Sequence, residues 1–218
     1  MGSSPFKLKR STRAGLYDEK REAIVGMCAR MFAESGFDAV VLADVAEALG
    51  TSKPLIYYYF KSKEEILGVI HARARDEYFS VLEAVEASPG GAREKLEALY
   101  KGYFDVALSD VGRAFAATRG AAAMTATERG HIRDGRRRIM RLMQAAVEEG
   151  SLRPLDVEVA EHAAFALLNW FAENVAQKTA AGRRRLAQEV LNMLWFGMAG
   201  QAGPTRPTAS GRPRTPPR

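Results

Sequence analysis

The chain has 218 residues, 47% of them hydrophobic and 27% charged, with a net charge of +6 at neutral pH. That is enough apolar material for one or two globular units. A single cysteine, Cys28, excludes an internal disulfide framework or a cysteine-built zinc site, and its place on an apolar helical stripe marks it as a buried thiol. No apolar run approaches the roughly 18 residues of a membrane span, and the basic N-terminus lacks the apolar stretch of a signal peptide, so a cytoplasmic protein with no membrane partner is expected.

Ala, Leu, Met, Glu and Arg fill long stretches with helical period, while strand-type alternation is almost absent; the class is all-α. Residues 1–17, with Lys7, Lys9, Arg10 and Arg13 among Ser, Thr and Gly, read as a flexible basic arm. Ile24, Met27, Cys28, Met31 and Phe32 repeat at three and four residues and predict a helix over 18–34, closed at Gly36 in the left-handed conformation. Leu42, Val45, Ala46 and Leu49 mark a short helix that stops at Gly50. A third begins near Ser52, its expected cap, with Pro54 in the first turn, and runs to about Tyr58. Ser62 caps a long fourth helix with Glu65 as its capping-box partner, ending at Ser88-Pro89-Gly90-Gly91. Further helices are expected near 92–108, 111–124, 127–149, 156–178 and 182–199. The last eighteen residues hold five Pro and four Arg and no acid, and read as a disordered tail. Residues 1–63 carry +3 and 201–218 carry +4, leaving 64–200 at −1, the distribution of a phosphate-binding module attached to a neutral body.

Two short helices joined by a tight glycine turn are the requirement of a helix-turn-helix. Leu42 to Phe60 meets it, with Leu42, Val45, Leu49, Ile56 and Phe60 as the apolar seam and Gly50 free to take positive φ. The remaining face carries Thr51, Ser52, Lys53, Leu55, Tyr57, Tyr58 and Tyr59. Lys53 suits a phosphate or a guanine edge, Leu55 a thymine methyl, and the tyrosine hydroxyls phosphate; Tyr58 reads equally well as a core aromatic.

Residues 19–67 resemble the TetR family of transcriptional regulators. The likeness rests on Phe-Ala-Glu-Ser-Gly-Phe ending the first helix, on Asp-Val-Ala-Glu-Ala-Leu-Gly, and above all on Leu-Ile-Tyr-Tyr-Tyr-Phe-Lys-Ser-Lys-Glu-Glu-Ile-Leu. The resemblance implies a three-helix DNA-binding head over 18–62 and a larger helical domain over 63–200 that binds an effector and dimerises. It places Lys53, Pro54, Leu55, Tyr57 and Tyr59 at DNA-contacting positions and Lys63 at a phosphate-contacting one. Val41 stands where the family usually has Thr or Ser, which costs the second helix a cap, and Leu55 is larger than the usual residue.

In the second domain, Leu186, Val190, Met193, Leu194 and Gly197 form one apolar stripe of the last helix, and Leu191, Trp195 and Met198 another. With Val159, Ala163 and Ala166 of the preceding helix, the second stripe is the expected homodimer interface. Phe104, Phe115, Met124, Met140, Met143, Phe165, Trp170 and neighbouring apolar residues, with Asn169 and Glu173 as polar anchors, are the candidate lining of a plastic apolar pocket. A looser resemblance of the second domain to acyl-CoA-responsive regulators of lipid or steroid catabolism implies an acyl-CoA as one effector class. Arg136, Arg137, Arg138 or Arg141 would then take the coenzyme phosphates, unless they form a solvated basic face. His71, His131 and His162 lack zinc-pair spacing and read as surface or pocket groups. With no nucleophile elbow, phosphate loop or dinucleotide fingerprint, no cofactor, metal or catalysis is expected. The expected function is a repressor that leaves a palindromic double-stranded operator on binding a small hydrophobic effector. The rival readings are a constitutive DNA binder, which a closed second domain would favour, and a helical enzyme.

Overall fold

A computed structural model describes residues 13–118, 125–175 and 178–198. Nine helices run in order among them: α1 Arg13–Ser35, α2 Leu42–Ala48, α3 Lys53–Tyr59, α4 Lys63–Ala87, α5 Ala92–Leu108, α6 Asp110–Ala117, α7 Ala126–Glu148, α8 Val157–Asn174 and α9 Ala180–Met198.

Their ends follow local chemistry. Gly36 and Gly50 take φ of 82° and 65°, closing α1 and α2 where a Cβ would be strained. Ser62 accepts from the Glu65 amide at 3.2 Å. The Glu65 carboxylate reaches one residue past the expected partner, to the Lys61 amide at 2.7 Å. Thr125 and Glu128 make a full capping box on α7, and Asp156 accepts from the amides of Glu158 and Val159 at the start of α8. The expected Ser52 cap does not form. Pro54 has no amide to offer, and the Leu55 and Ile56 amides already bond the Ser52 carbonyl at 3.0 and 3.3 Å. Val41 likewise gives α2 no side-chain cap. Arg153 donates from its backbone to Met198 O at 3.2 Å and from Nε to Gly197 O at 2.8 Å, a cation on the carbonyl end of α9.

Helix α1 starts inside the segment read as a flexible arm. The first turns carry no apolar period, so pattern alone misses them. Tyr17 supplies the tertiary reason: its ring packs 4.8 Å from that of Tyr59 and 6.2 Å from that of Tyr58. Residues 1–12 and the tail from 199 lie outside the described residues, as do 119–124, where the sequence extended the sixth helix.

Two apolar cores result. The head core joins Ile24, Val25, Cys28 and Phe32 of α1 to Val45, Ile56 and Phe60. It also takes Ile66, Leu67 and Ile70 of α4 and Ala114 of α6, beyond the expected boundary at 62/63. The body core holds Leu82, Leu96, Leu99, Phe104, Met143, Phe171, Val190 and Leu194. Helices α4 and α6 therefore belong to both cores. Ala114 is in the head core and Ala116 in the body core.

Candidate DNA interface and ligand cavity

Helix α3 buries Ile56 and places Phe60, just past its end, in the head core. Tyr57 and Tyr58, one and two positions past Ile56 at about 100° per residue, turn away from that buried face. Tyr57 is 46% exposed and Tyr58 69%. Ser52, Lys53 and Pro54 are also exposed, while Thr51 and Leu55 are half-buried. The Lys53 ammonium lies 5.8 Å from the centre of the Tyr57 ring, one turn on. The sequence reading omitted Tyr58 from the contact set, yet it is the most exposed of the three tyrosines; the Ile56/Phe60 spacing carried that signal. Tyr59 is half-buried against Tyr17 and Tyr58, and desolvation pushes its hydroxyl pKa above the ordinary value.

Lys63 is turned inward instead of toward a phosphate. Its ammonium donates to Phe37 O at 2.7 Å and Val40 O at 3.0 Å, 4.1 Å above the centre of the Phe37 ring. The loop between α1 and α2 leaves carbonyls without helical partners, and a cation beside them satisfies two. Cys28 is fully buried, and burial raises its thiol pKa to about 12, so it is held as the unreactive neutral form.

Helices α4, α5, α6, α7 and α8 line a partly open cavity of about 310 Å³. Tyr78, Phe79, Tyr103, Phe115 and Phe165 supply an aromatic wall, with Ile132, Ile139 and Leu168. Besides the hydroxyls of Tyr78 and Tyr103, its polar side chains are His71, Arg75, Arg136, Glu161 and Asn169. Arg136 Nε lies 2.9 and 2.8 Å from the two Glu161 oxygens, Nη2 joins the same carboxylate, and the guanidinium carbon sits 5.3 Å from the Phe165 ring centre. Arg75 pairs with Glu128. His71 Nε2 is 2.7 Å from Thr118 Oγ1, which itself donates to Ala114 O at 2.7 Å. With the hydroxyl proton spent on Ala114, the imidazole must donate from Nε2. The edge of the cavity is thus hydrogen-bonded to a residue of the head core.

Of the pocket residues expected from sequence, Phe115, Phe165, Leu168 and Asn169 line this cavity. Phe104 is core, 4.7 Å from the Phe171 ring, and Met143 is fully buried there. Met140 is half-buried on α7 away from the lining, and Trp170 and Glu173 face outward. Met124 lies outside the described residues. Sequence reasoning missed Tyr78, Phe79, Tyr103 and Glu161. The last left a signal, an acid in register with Ala164 and Leu168 on an otherwise apolar helix face. Of the four arginines suggested for coenzyme phosphates, Arg136 is bound to Glu161 and Arg138 to Glu86, while Arg137 and Arg141 are exposed.

On the outer face of the body, Val159 (64% exposed), Ala163, Ala166 and Trp170 form one stripe of α8. The α9 residues expected at the interface lie deeper than those of α8. Met198 is buried, and Leu191 and Trp195 pack on their own core, the indole 6.2 Å from the Tyr100 ring. Met193, 64% exposed, faces outward instead. No described helix is long and apolar enough to cross a membrane, and no cluster of metal-ligating side chains occurs among the described residues.

A helix-turn-helix with an exposed recognition helix, joined through two shared helices to a cavity-bearing helical body, defines a DNA-binding regulator. Sequence comparison agrees. Residues 28–70 match the profile of bacterial regulatory proteins of the tetR family, and residues 89–198, half of the chain, that of the tetracyclin repressor-like C-terminal domain. The chain belongs to the TetR family of transcriptional regulators, and regulation of transcription, not catalysis, is its class of activity. It is 28% identical over 155 residues to the HTH-type transcriptional repressor KstR2 of Rhodococcus jostii (strain RHA1), covering 65% of this chain and 72% of that one. It is 27% identical over 88 residues to the transcriptional activator FasR of Mycolicibacterium smegmatis, 40% of each chain. Among solved structures, the ketosteroid regulator KstR2 of Mycobacterium tuberculosis superposes with a TM-score of 0.69 at 20% identity, over 84% of this chain and 96% of that one. AibR, solved with isovaleryl coenzyme A and operator DNA, gives 0.63 at 19% identity, over 80% and 97%.

Proposed function

We propose that the protein is a cytoplasmic, homodimeric repressor whose palindromic operator is released when a small hydrophobic effector enters the α4–α8 cavity. The observation that carries this reading is the continuous link from cavity to head. His71 and Phe115 line the cavity, and Thr118 joins His71 to Ala114, which lies in the head core. A constitutive binder has no use for such a cavity.

Each head meets the major groove with α3. Thr51, Ser52, Lys53, Pro54, Leu55 and Tyr57 are its contact residues, joined by Tyr58, with Tyr59 set deeper behind them. Two heads about 34–36 Å apart read successive major grooves of one duplex face. Dimerisation uses Val159, Ala163, Ala166, Trp170 and Met193, an exposed apolar face that needs a partner.

An acyl-CoA is the first effector class to examine, because AibR was solved with isovaleryl coenzyme A. A space of about 310 Å³ is at the small end for ligand sites, so the acyl part occupies it and the coenzyme stays outside. The effector acts by binding the two half-site spacings unequally and shifting α4 toward the one that does not fit.

The test is a mobility shift on the DNA upstream of the protein's own gene, titrated with acyl-CoAs and other hydrophobic compounds. A shifted band lost at saturating effector supports the reading. Tight effector binding with unchanged operator affinity refutes it.

A further inference from the structure

The polar side chains of the cavity are arranged so that no net charge faces its interior. Glu161 is only 2% exposed, and Arg136 holds both of its oxygens. Arg75, the other lining cation, pairs with Glu128 at the start of α7. The remaining polar groups, His71, Tyr78, Tyr103 and Asn169, carry hydrogen-bonding functions and no fixed charge.

The polar groups also have an order. Asn169 lies eight residues after Glu161 on α8, about 12 Å along the axis at 1.5 Å per residue. Asn169 is therefore set well apart from the ion pair along α8, and Ala172 carries the lining one turn further.

We infer that the cavity takes an uncharged, largely apolar ring compound carrying a neutral oxygen function, and that the Arg136–Glu161 pair excludes both carboxylates and ammonium ions from it. This rests on the reading of the cavity as the effector site and narrows the chemistry of what enters. A carboxylate approaching Arg136 meets Glu161 already in the bidentate position, and displacing it strands a buried acid. An ammonium ion approaching Glu161 meets the guanidinium in the same way. A desolvated charge without a counter-ion is strongly disfavoured, whereas a ketone, ester or hydroxyl brings no charge into the cavity and needs at most one hydrogen bond.

The experiment uses three probes on one skeleton: a naphthyl methyl ketone, the matching naphthoate and the matching naphthylmethylammonium. Binding to the intact protein is read by calorimetry. The ketone should bind wild type at least tenfold more tightly than either ion. Glu161→Gln keeps the shape but frees the guanidinium, and should reverse the order of ketone and naphthoate. Arg136→Gln should favour the ammonium probe. Naphthoate binding wild type as well as the ketone overturns the inference and leaves the effector site standing. Failure of all three probes to bind wild type overturns the reading of the cavity as an effector site. Because the wild-type ranking decides the matter, a variant that fails to fold does not rescue the claim.

Discussion

Gly112 is the position where one added methyl group should cost most. It is the third residue of α6, its amide donating to Ser109 Oγ at 3.0 Å. A Cβ built there would lie 2.0 Å from Val106 O, 2.8 Å from Val106 C and 3.1 Å from Ala107 Cα. Ordinary carbon–oxygen contacts are about 3.3 Å or longer, so α5 and α6 must separate by more than about 1 Å. All three neighbours are backbone, and no rotamer change relieves them. Overpacking of this kind costs about 1–3 kcal/mol, against a helix-propensity gain of at most about 1 kcal/mol. Gly112→Ala should therefore lower stability by about 1 kcal/mol net, or roughly 2–4 °C in Tm for a chain of this length. Gly130 in α7, whose Cβ would meet nothing within 4 Å, is the control. Gly130→Ala should gain about 0.5–1 kcal/mol. Thermal melts at one fixed protein concentration compare the two, since the melting of a dimer depends on concentration. If Gly112→Ala melts at or above the wild-type temperature, the close approach of α5 and α6 is wrong.

Lys53→Ala should weaken operator binding and reduce the slope of log K against log salt by about 0.9 per head, because a phosphate-contacting cation releases one counterion. Tyr58→Ala should weaken binding with the slope unchanged, whereas Lys63→Met should lower Tm through the loop it anchors and leave the slope alone. Val159→Asp should convert the dimer to monomer in sedimentation velocity at micromolar concentration; a persistent dimer would move the interface elsewhere. For Cys28 the folded pKa is raised from 9.0 to about 12, so its neutral form is favoured by folding. That contribution is complete below pH 9.0 and is lost as pH rises from 9.0 toward about 12. Cys28→Ala should flatten the alkaline fall in urea-measured stability, and native Cys28 should resist iodoacetamide at pH near 8.

The head was legible in the sequence because its signals are local. Gly36 and Gly50 need the left-handed conformation, and Leu42, Val45, Ile56 and Phe60 repeat with helical period inside one short segment. It stopped being legible where a distant residue decides. Tyr59 is half-buried because Tyr17 reaches it from α1, and Lys63 turns inward because the α1–α2 loop leaves carbonyls beside it. The cavity was harder still. Phe104 and Phe115 are chemically identical, yet one meets Phe171 in the core and the other faces open space. Only the packing of five helices separates those fates. The same holds for α9, whose two apolar stripes were visible while the burial of Met198 and the exposure of Met193 were not.

Helix α6 shows why the division into a head and a body is a matter of degree. Successive residues of it serve different surfaces: Ala114 is in the head core, Phe115 lines the cavity and Ala116 is in the body core. Gly112 fixes its start against α5, and Thr118 ties its end to His71 of α4. A helix held at both ends and packed on three sides has few soft motions, since a packed interior shifts between discrete arrangements instead of deforming smoothly. On the proposed mechanism, a ligand that displaces Phe115 or competes for His71 therefore acts on α4 and α6 together. It moves the first two turns of α4, whose Ile66, Leu67 and Ile70 are head-core residues. The strength of that coupling is bounded by the ligand's difference in affinity for the two arrangements, not by how tightly it fills the cavity.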